Sequence, residues 1–209
     1  SQAGSRILAG AAGLDSFSEA GEAFLYNTGT STPSVTLKPF TLDTSVTPNV
    51  MIDDTQSVQF GVGTAIVGEG HYIVGTRDYE TIYNFRRRGP EWTALSARDG
   101  LTFPAELPTS KVGGSVAIDG NTAVIGAQDF GDQGAVFVFT RTPGAEPALD
   151  TWTQQAFLQS DGIQLGDGFG TSVAIEGNRL IVGAPASCDG AGAAYVFERL
   201  VNTWTQEAV

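Results

Sequence analysis

One apolar pattern returns four times along this chain, and it limits the possible folds more than any other feature. Gly177-Asn178-Arg179-Leu180-Ile181-Val182-Gly183-Ala184 reappears as Gly120-Asn121-Thr122-Ala123-Val124-Ile125-Gly126-Ala127. It returns more loosely at His71-Tyr72-Ile73-Val74-Gly75-Thr76 and at Gly4-Ser5-Arg6-Ile7-Leu8-Ala9-Gly10-Ala11. The anchoring glycines, Gly10, Gly75, Gly126 and Gly183, are separated by 65, 51 and 57 residues by subtraction. Self-similarity at such a period marks a repeat architecture, in which each unit needs its neighbours to bury its apolar faces.

Three more elements recur around each anchor. After it comes Gly21-Glu22-Ala23-Phe24-Leu25-Tyr26, Thr81-Ile82-Tyr83-Asn84-Phe85, Gly134-Ala135-Val136-Phe137-Val138-Phe139 or Gly192-Ala193-Ala194-Tyr195-Val196-Phe197. Next comes Glu91-Trp92-Thr93, Thr151-Trp152-Thr153-Gln154 or Thr203-Trp204-Thr205-Gln206, with Val35-Thr36-Leu37 in the first copy. Before the last three anchors stand Phe60-Gly61-Val62-Gly63-Thr64-Ala65-Ile66, Val112-Gly113-Gly114-Ser115-Val116-Ala117-Ile118 and Phe169-Gly170-Thr171-Ser172-Val173-Ala174-Ile175. The first copy has no such element. All read as short strands, rich in β-branched and aromatic residues and bounded by Gly, Asn, Asp and Pro. The Gly-Asn pairs at 120–121 and 177–178 suit hairpin turns that require positive φ.

Four strands in roughly 50 residues is the arithmetic of a propeller blade. In Ala135-Val136-Phe137-Val138-Phe139 both faces of the strand are apolar, as a sheet wedged between two others requires. The expected fold is an all-β propeller segment of four antiparallel blades, 3 + 4 + 4 + 4 = 15 strands, with the first blade truncated. The blades are expected near 1–42, 57–105, 109–160 and 165–209, with an insertion at 43–56. Phe24, Tyr83, Phe137 and Tyr195 are expected at equivalent buried positions. Both ends of the sequence fall inside repeats, so a portion of a longer protein is expected.

Phe169-Gly170 followed by Val182-Gly183-Ala184-Pro185 resembles the FG-GAP repeat, which forms blades in integrin α-chain propellers and in many bacterial surface or secreted proteins. The run Trp152-Thr153-Gln154, Ser160-Asp161-Gly162 and Gly166-Asp167-Gly168-Phe169-Gly170 is similar to a bacterial subtype of that family. The resemblance covers nearly the whole chain in four copies, the second degenerate and the first incomplete. It implies an extracellular or cell-surface scaffold that binds a protein or glycan and is not itself catalytic. A second reading makes these blades the propeller portion of a secreted carbohydrate-active hydrolase or lyase whose catalytic residues lie elsewhere. A shared fold does not fix which reading holds.

Charge narrows the partners. Net charge is −12, and charged residues make up only 16% of the chain, so nucleic acid is not an expected partner. Arg86-Arg87-Arg88 reads as a solvated strand end. No apolar run approaches a membrane span. Cys188 is the only cysteine and His71 the only histidine, which excludes an intrachain disulfide and a zinc site of several His or Cys ligands. His71 reads as a turn residue, and Asp53-Asp54 as part of a polar loop.

No catalytic, cofactor or metal site is expected. The loops after each anchor vary most and carry Asp15, Asp129, Asp132 and Asp189, the candidate partner-binding residues. The resemblance also implies where calcium would bind, in an Asp-rich turn between the first two strands of a blade. Here that turn has shrunk to Asp119-Gly120-Asn121 or Glu176-Gly177-Asn178. One carboxylate on so tight a hairpin falls short of the six to eight oxygen ligands calcium takes, so no such site is expected.

Overall fold

The computed structural model describes residues 2–3, 6–11, 21–37, 40–43, 50–53, 62–67, 71–75, 82–88, 91–95, 112–143 and 151–209. These form an all-β structure whose one helical element is a three-residue 3-10 turn, Phe130–Asp132. Four antiparallel sheets of four strands follow one another along the chain. The first holds β1 (Gln2–Ala3), β2 (Arg6–Ala11), β3 (Glu22–Asn27) and β4 (Val35–Leu37). A separate two-stranded hairpin follows, β5 (Phe40–Asp43) with β6 (Val50–Asp53). The second sheet holds β7 (Thr64–Val67), β8 (His71–Gly75), β9 (Ile82–Arg88) and β10 (Glu91–Leu95). The third holds β11 (Val112–Asp119), β12 (Thr122–Ala127), β13 (Ala135–Thr142) and β14 (Thr151–Leu158). The fourth holds β15 (Ser172–Glu176), β16 (Arg179–Ala184), β17 (Ala193–Leu200) and β18 (Thr203–Ala208).

Three expectations change. The first sheet has four strands, because Gln2–Ala3 pairs with Arg6 and Ile7 and supplies the strand thought missing. Part of the expected insertion is the β5–β6 hairpin, with Asp53 at its end and Asp54 outside the described residues. His71 is no turn residue: it opens β8, opposite Val67 and Arg86. The Gly-Asn turns are as expected, with positive φ at Gly120 (55°) and Gly177 (58°) alone, the pattern of a II′ hairpin.

The sheets stack face to face in chain order, and their first strands lie side by side: β1 against β7, β7 against β11, and β11 against β15. The stacking follows one rule. In the third sheet, Ala123, Ile125, Ala127, Phe137 and Phe139 share a face and pack with Ala65, Ile73 and Ile82 of the second. Its opposite face, Val124, Val136 and Val138, packs on Phe169, Leu180, Val182, Tyr195 and Phe197 of the fourth. The second and third sheets thus each lay the face bearing the anchoring glycine against the aromatic face of the next.

Register fixes the aromatic positions. Phe24, Tyr83, Phe137 and Tyr195 stand opposite Ala9, Val74, Ile125 and Val182, each one residue before its anchoring glycine. The register is shared but the burial is not. Phe137 and Tyr195 are buried, whereas Phe24 is half-buried because it lies on the face of the first sheet that points away from the second. The side chain of Tyr83 lies outside the described residues.

The glycines let the sheets meet at backbone distance. A Cβ on Gly75 would run into the carbonyl oxygen of Gly113, and one on Gly126 into that of Gly170. Ser115 Oγ donates to the same Gly170 carbonyl at 2.7 Å. The backbone of Phe169 covers Gly134. Anchoring glycine and Phe-Gly glycine are therefore two halves of one contact.

Polar ties reinforce the third junction. Asp119 Oδ2 accepts from the Gly177 backbone N–H at 2.6 Å, so the carboxylate of one turn holds the next turn. Arg199 is held twice by Asn178 Oδ1 (3.1 and 3.0 Å), donates to Thr122 Oγ1 at 3.0 Å across the junction, and lies 5.3 Å from the ring centre of Trp204. Arg141 grips Asn121 Oδ1 in the same way at 3.0 and 2.7 Å. In backbone register Arg87 pairs with Trp92 as Arg141 pairs with Trp152 and Arg199 with Trp204. The middle arginine of the run that ends β9 thus sits at a repeated strand position. The buried Trp204 indole N–H donates to Gln155 Oε1 at 3.0 Å. Gln155 sits where the β13–β14 pairing skips a residue, a bulge that re-aims its side chain. Pairing in the second sheet runs unbroken through Leu95, and the Trp152 indole N–H has no acceptor among the described residues.

Gly126→Ala should cost about 3 kcal/mol or more, the upper range for overpacking. Gly162→Ala, where a Cβ meets open space, should change stability by less than about 0.5 kcal/mol. Urea denaturation of both variants measures the contrast, and equal losses would show that the close approach carries no weight. Phe139→Ala and Phe197→Ala, both removing buried rings, should each lower stability by about 3–5 kcal/mol in the same assay. Gln155→Leu should cost about 1–3 kcal/mol by leaving the Trp204 N–H unpaired, and a neutral result would exclude that bond as a tie.

Candidate functional site

The connection from β14 to β15 carries the residues of chemical interest. Ser160 starts a turn closed by Ile163 N–H to Ser160 C=O at 3.1 Å. Asp167, largely buried, accepts the Gln164 backbone N–H at 2.8 Å and so fixes the next turn. The segment then docks on the third sheet, with Gly166 N–H donating to Asp132 C=O at 2.6 Å and Phe169 N–H to Gln133 C=O at 3.0 Å.

Against this connection lies the loop from β16 to β17. Backbone bonds from Ala186 N–H to Asp167 C=O (3.1 Å) and from Gly192 N–H to Ser187 C=O (2.9 Å) hold it. Cys188 and Asp189 take left-handed φ of 55° and 58°, which turns the loop back over the site. Ser187 is buried and shares a hydrogen bond of 3.0 Å with the Tyr195 hydroxyl.

Together the two loops and Gln206 of β18 enclose a cavity of about 400 Å³, within the usual range for small-ligand sites. Ser160, Asp167, Ser187, Asp189, Tyr195 and Gln206 supply its polar wall. The Ser160 hydroxyl is buried and has no hydrogen-bond partner among the described residues. A buried polar group left unpaired is costly, so this oxygen is where a ligand gains most by binding. The wall carries two carboxylates and no Lys or Arg, which favours neutral or cationic ligands over anions.

Of the candidate residues, Asp189 lines this cavity. Asp129 and Asp132 flank the 3-10 turn, whose Phe130 packs edge-on to Phe137 and Phe157 at ring-centre distances of 5.8 and 5.2 Å. They are not brought together with Asp189, and the Asp132 carbonyl serves the junction with the fourth sheet. Asp15 lies outside the described residues. Sequence reasoning passed over Ser160, Asp167, Ser187 and Gln206. Two of them stood within the quoted Ser-Asp-Gly and Gly-Asp-x-Phe-Gly runs, which were read as family markers rather than as a wall. Among the described residues no three His, Cys, Asp or Glu side chains converge in a metal-binding group, and no helix is long and apolar enough to cross a membrane.

No curated protein matches this chain. The model of the FG-GAP repeat family matches residues 152–197, from the Trp of β14 to the last aromatic of β17. The matched stretch holds the Phe169-Gly170 step, the anchoring Gly183 and the cavity residues Ser160, Asp167, Ser187 and Asp189. The chain therefore carries an FG-GAP repeat, and its candidate site is built largely from that repeat.

Proposed function

We propose that the protein is a binding scaffold of the β-propeller type, its four sheets serving as consecutive blades and its loops holding a protein or glycan ligand outside the cell. The repeated junction supports the propeller reading, since the second sheet meets the third and the third meets the fourth through the same faces and the same glycine contact. The extracellular setting rests on the resemblance of all four copies to FG-GAP repeats. The binding role rests above all on the unpaired Ser160 hydroxyl in the wall of the loop cavity. Such a site binds and orients without chemistry: hydroxyls, an amide and carboxylates present both donors and acceptors, which suits a neutral polar group such as a sugar hydroxyl.

A thermal-shift screen of neutral saccharides and peptides against the protein tests this reading, followed by titration of any hit. Ser160→Ala should abolish binding of the hit. The same change should leave the free protein as stable as before or up to about 1 kcal/mol more stable, because it removes an unpaired buried group. Retained binding, or a loss of stability above about 1 kcal/mol, would show that Ser160 has a structural role instead.

A further inference from the structure

Cys188, the only cysteine of the chain, is exposed and lines the loop cavity. The left-handed turn at Cys188 and Asp189 brings both residues into that wall. The Ser187 hydroxyl, which it shares with Tyr195, donates toward Cys188 Sγ at 4.0 Å. The sulfur is thus reachable from solvent and adjoins the buried Ser187–Tyr195 pair. With one cysteine present, a disulfide at Cys188 takes its second sulfur from another molecule.

The rest of the wall suits a small group carried on that sulfur. Ser160 is 6% exposed, and its hydroxyl has no hydrogen-bond partner among the described residues. A group brought into the cavity can therefore pair with an oxygen that is otherwise buried and unsatisfied. Asp167 and Asp189 add two carboxylates, and no Lys or Arg lines the cavity to oppose them. Such a wall attracts a cationic group and repels an anionic one. The volume of about 400 Å³ leaves room for a short chain beside the protein side chains.

We propose that Cys188 is a thiol-exchange site for low-molecular-weight disulfides that carry an amine, and that the retained aminothiol occupies the loop cavity. Cys188 gives its proton to solvent and attacks one sulfur of the disulfide as the thiolate. A bond forms between that sulfur and Cys188 Sγ as the disulfide's own S–S bond breaks. The departing thiolate takes a proton from solvent and leaves as a free thiol. Cys188 is oxidised and the departing half is reduced, so the reacting disulfide is itself the oxidant. The ammonium of the retained half lies among Asp167 and Asp189, and Ser160 Oγ accepts a hydrogen bond from it. The site rests on the geometry of the cavity and on no saccharide or peptide ligand.

The test reacts the protein with cystamine (cationic), hydroxyethyl disulfide (neutral) and dithiodiglycolate (anionic), followed by intact mass. Every added half-disulfide reports on Cys188 alone. Dividing each rate by that of the urea-unfolded chain removes the reagent's own reactivity. The folded-to-unfolded ratio should be about tenfold or more higher for cystamine than for dithiodiglycolate. That preference should persist at about 1 M salt, where the screening length falls to about 3 Å. Asp189→Asn should reduce it, since Asn tolerates the left-handed φ while losing the charge. Ser160→Ala should lower the equilibrium constant for the cysteamine adduct about threefold to tenfold, the loss of one hydrogen bond. In NMR spectra of the unsubstituted chain, forming the adduct should shift the amides of Ser160 and Gln206. Three results would overturn the proposal. One is an equal ratio for all three reagents. Another is a preference lost in salt, which would assign it to the net charge of −12. The third is an adduct that shifts only the sequence neighbours of Cys188, which would place the attached group in solvent.

Discussion

The contact between an anchoring glycine and the carbonyl of a Phe-Gly glycine in the next sheet sets the spacing on which the rest of this structure depends. Gly126 and Gly170 touch through backbone atoms, and Ser115 adds a hydrogen bond to the same carbonyl. A methyl group at either position would push the sheets apart and loosen every side chain between them. Because the two sides of the contact differ, the junction has a direction. One face of each sheet is flat and glycine-bearing, and the other carries the rings that fill the remaining space.

That direction explains the graded burial. In the third sheet, covered on both sides, β12 and Ala135–Phe139 of β13 are buried at every residue. In the fourth sheet β16 alternates, with Leu180, Val182 and Ala184 inside and Ile181 half-exposed. The first sheet alternates in the opposite sense, with Leu8 and Leu25 inside and Ile7 outside. The polar ties follow the same order. Arg199, Gln155 and Asp119 all reach across one junction, converting side chains on separate sheets into a single unit.

The candidate site arises from the same construction. The chain must travel from the last strand of one sheet to the first strand of the next, and the Phe-Gly step must land at a fixed place. The connection is therefore held by backbone hydrogen bonds to the 3-10 turn of the third sheet, and its remaining polar groups face the loop of the fourth. Ser160 is left in the wall between them without a partner among the described residues. Backbone hydrogen bonds around the cavity and the unpaired hydroxyl in its wall are the physical basis of the proposed binding role.

Repetition made the strands, their order and their pairing partners legible, because a pattern with both faces apolar requires neighbours on both sides. The Phe-Gly and Gly-Ala steps were legible as anchors, and Asp189 as part of a variable loop. Other features depended on contacts between distant residues. The strand Gln2–Ala3 exists only through pairing with β2, and β5 exists only through pairing with β6. Gln155 matters because a bulge aims it at Trp204, 49 residues away, and Asp119 because it faces a turn 58 residues away. The sequence determined the repeating strands, since hydrophobic period and turn residues are local properties. Only the tertiary structure decided which identical positions are filled, which are empty and which hydroxyl lacks a partner, since burial and pairing depend on what the neighbouring sheet brings within a few ångströms.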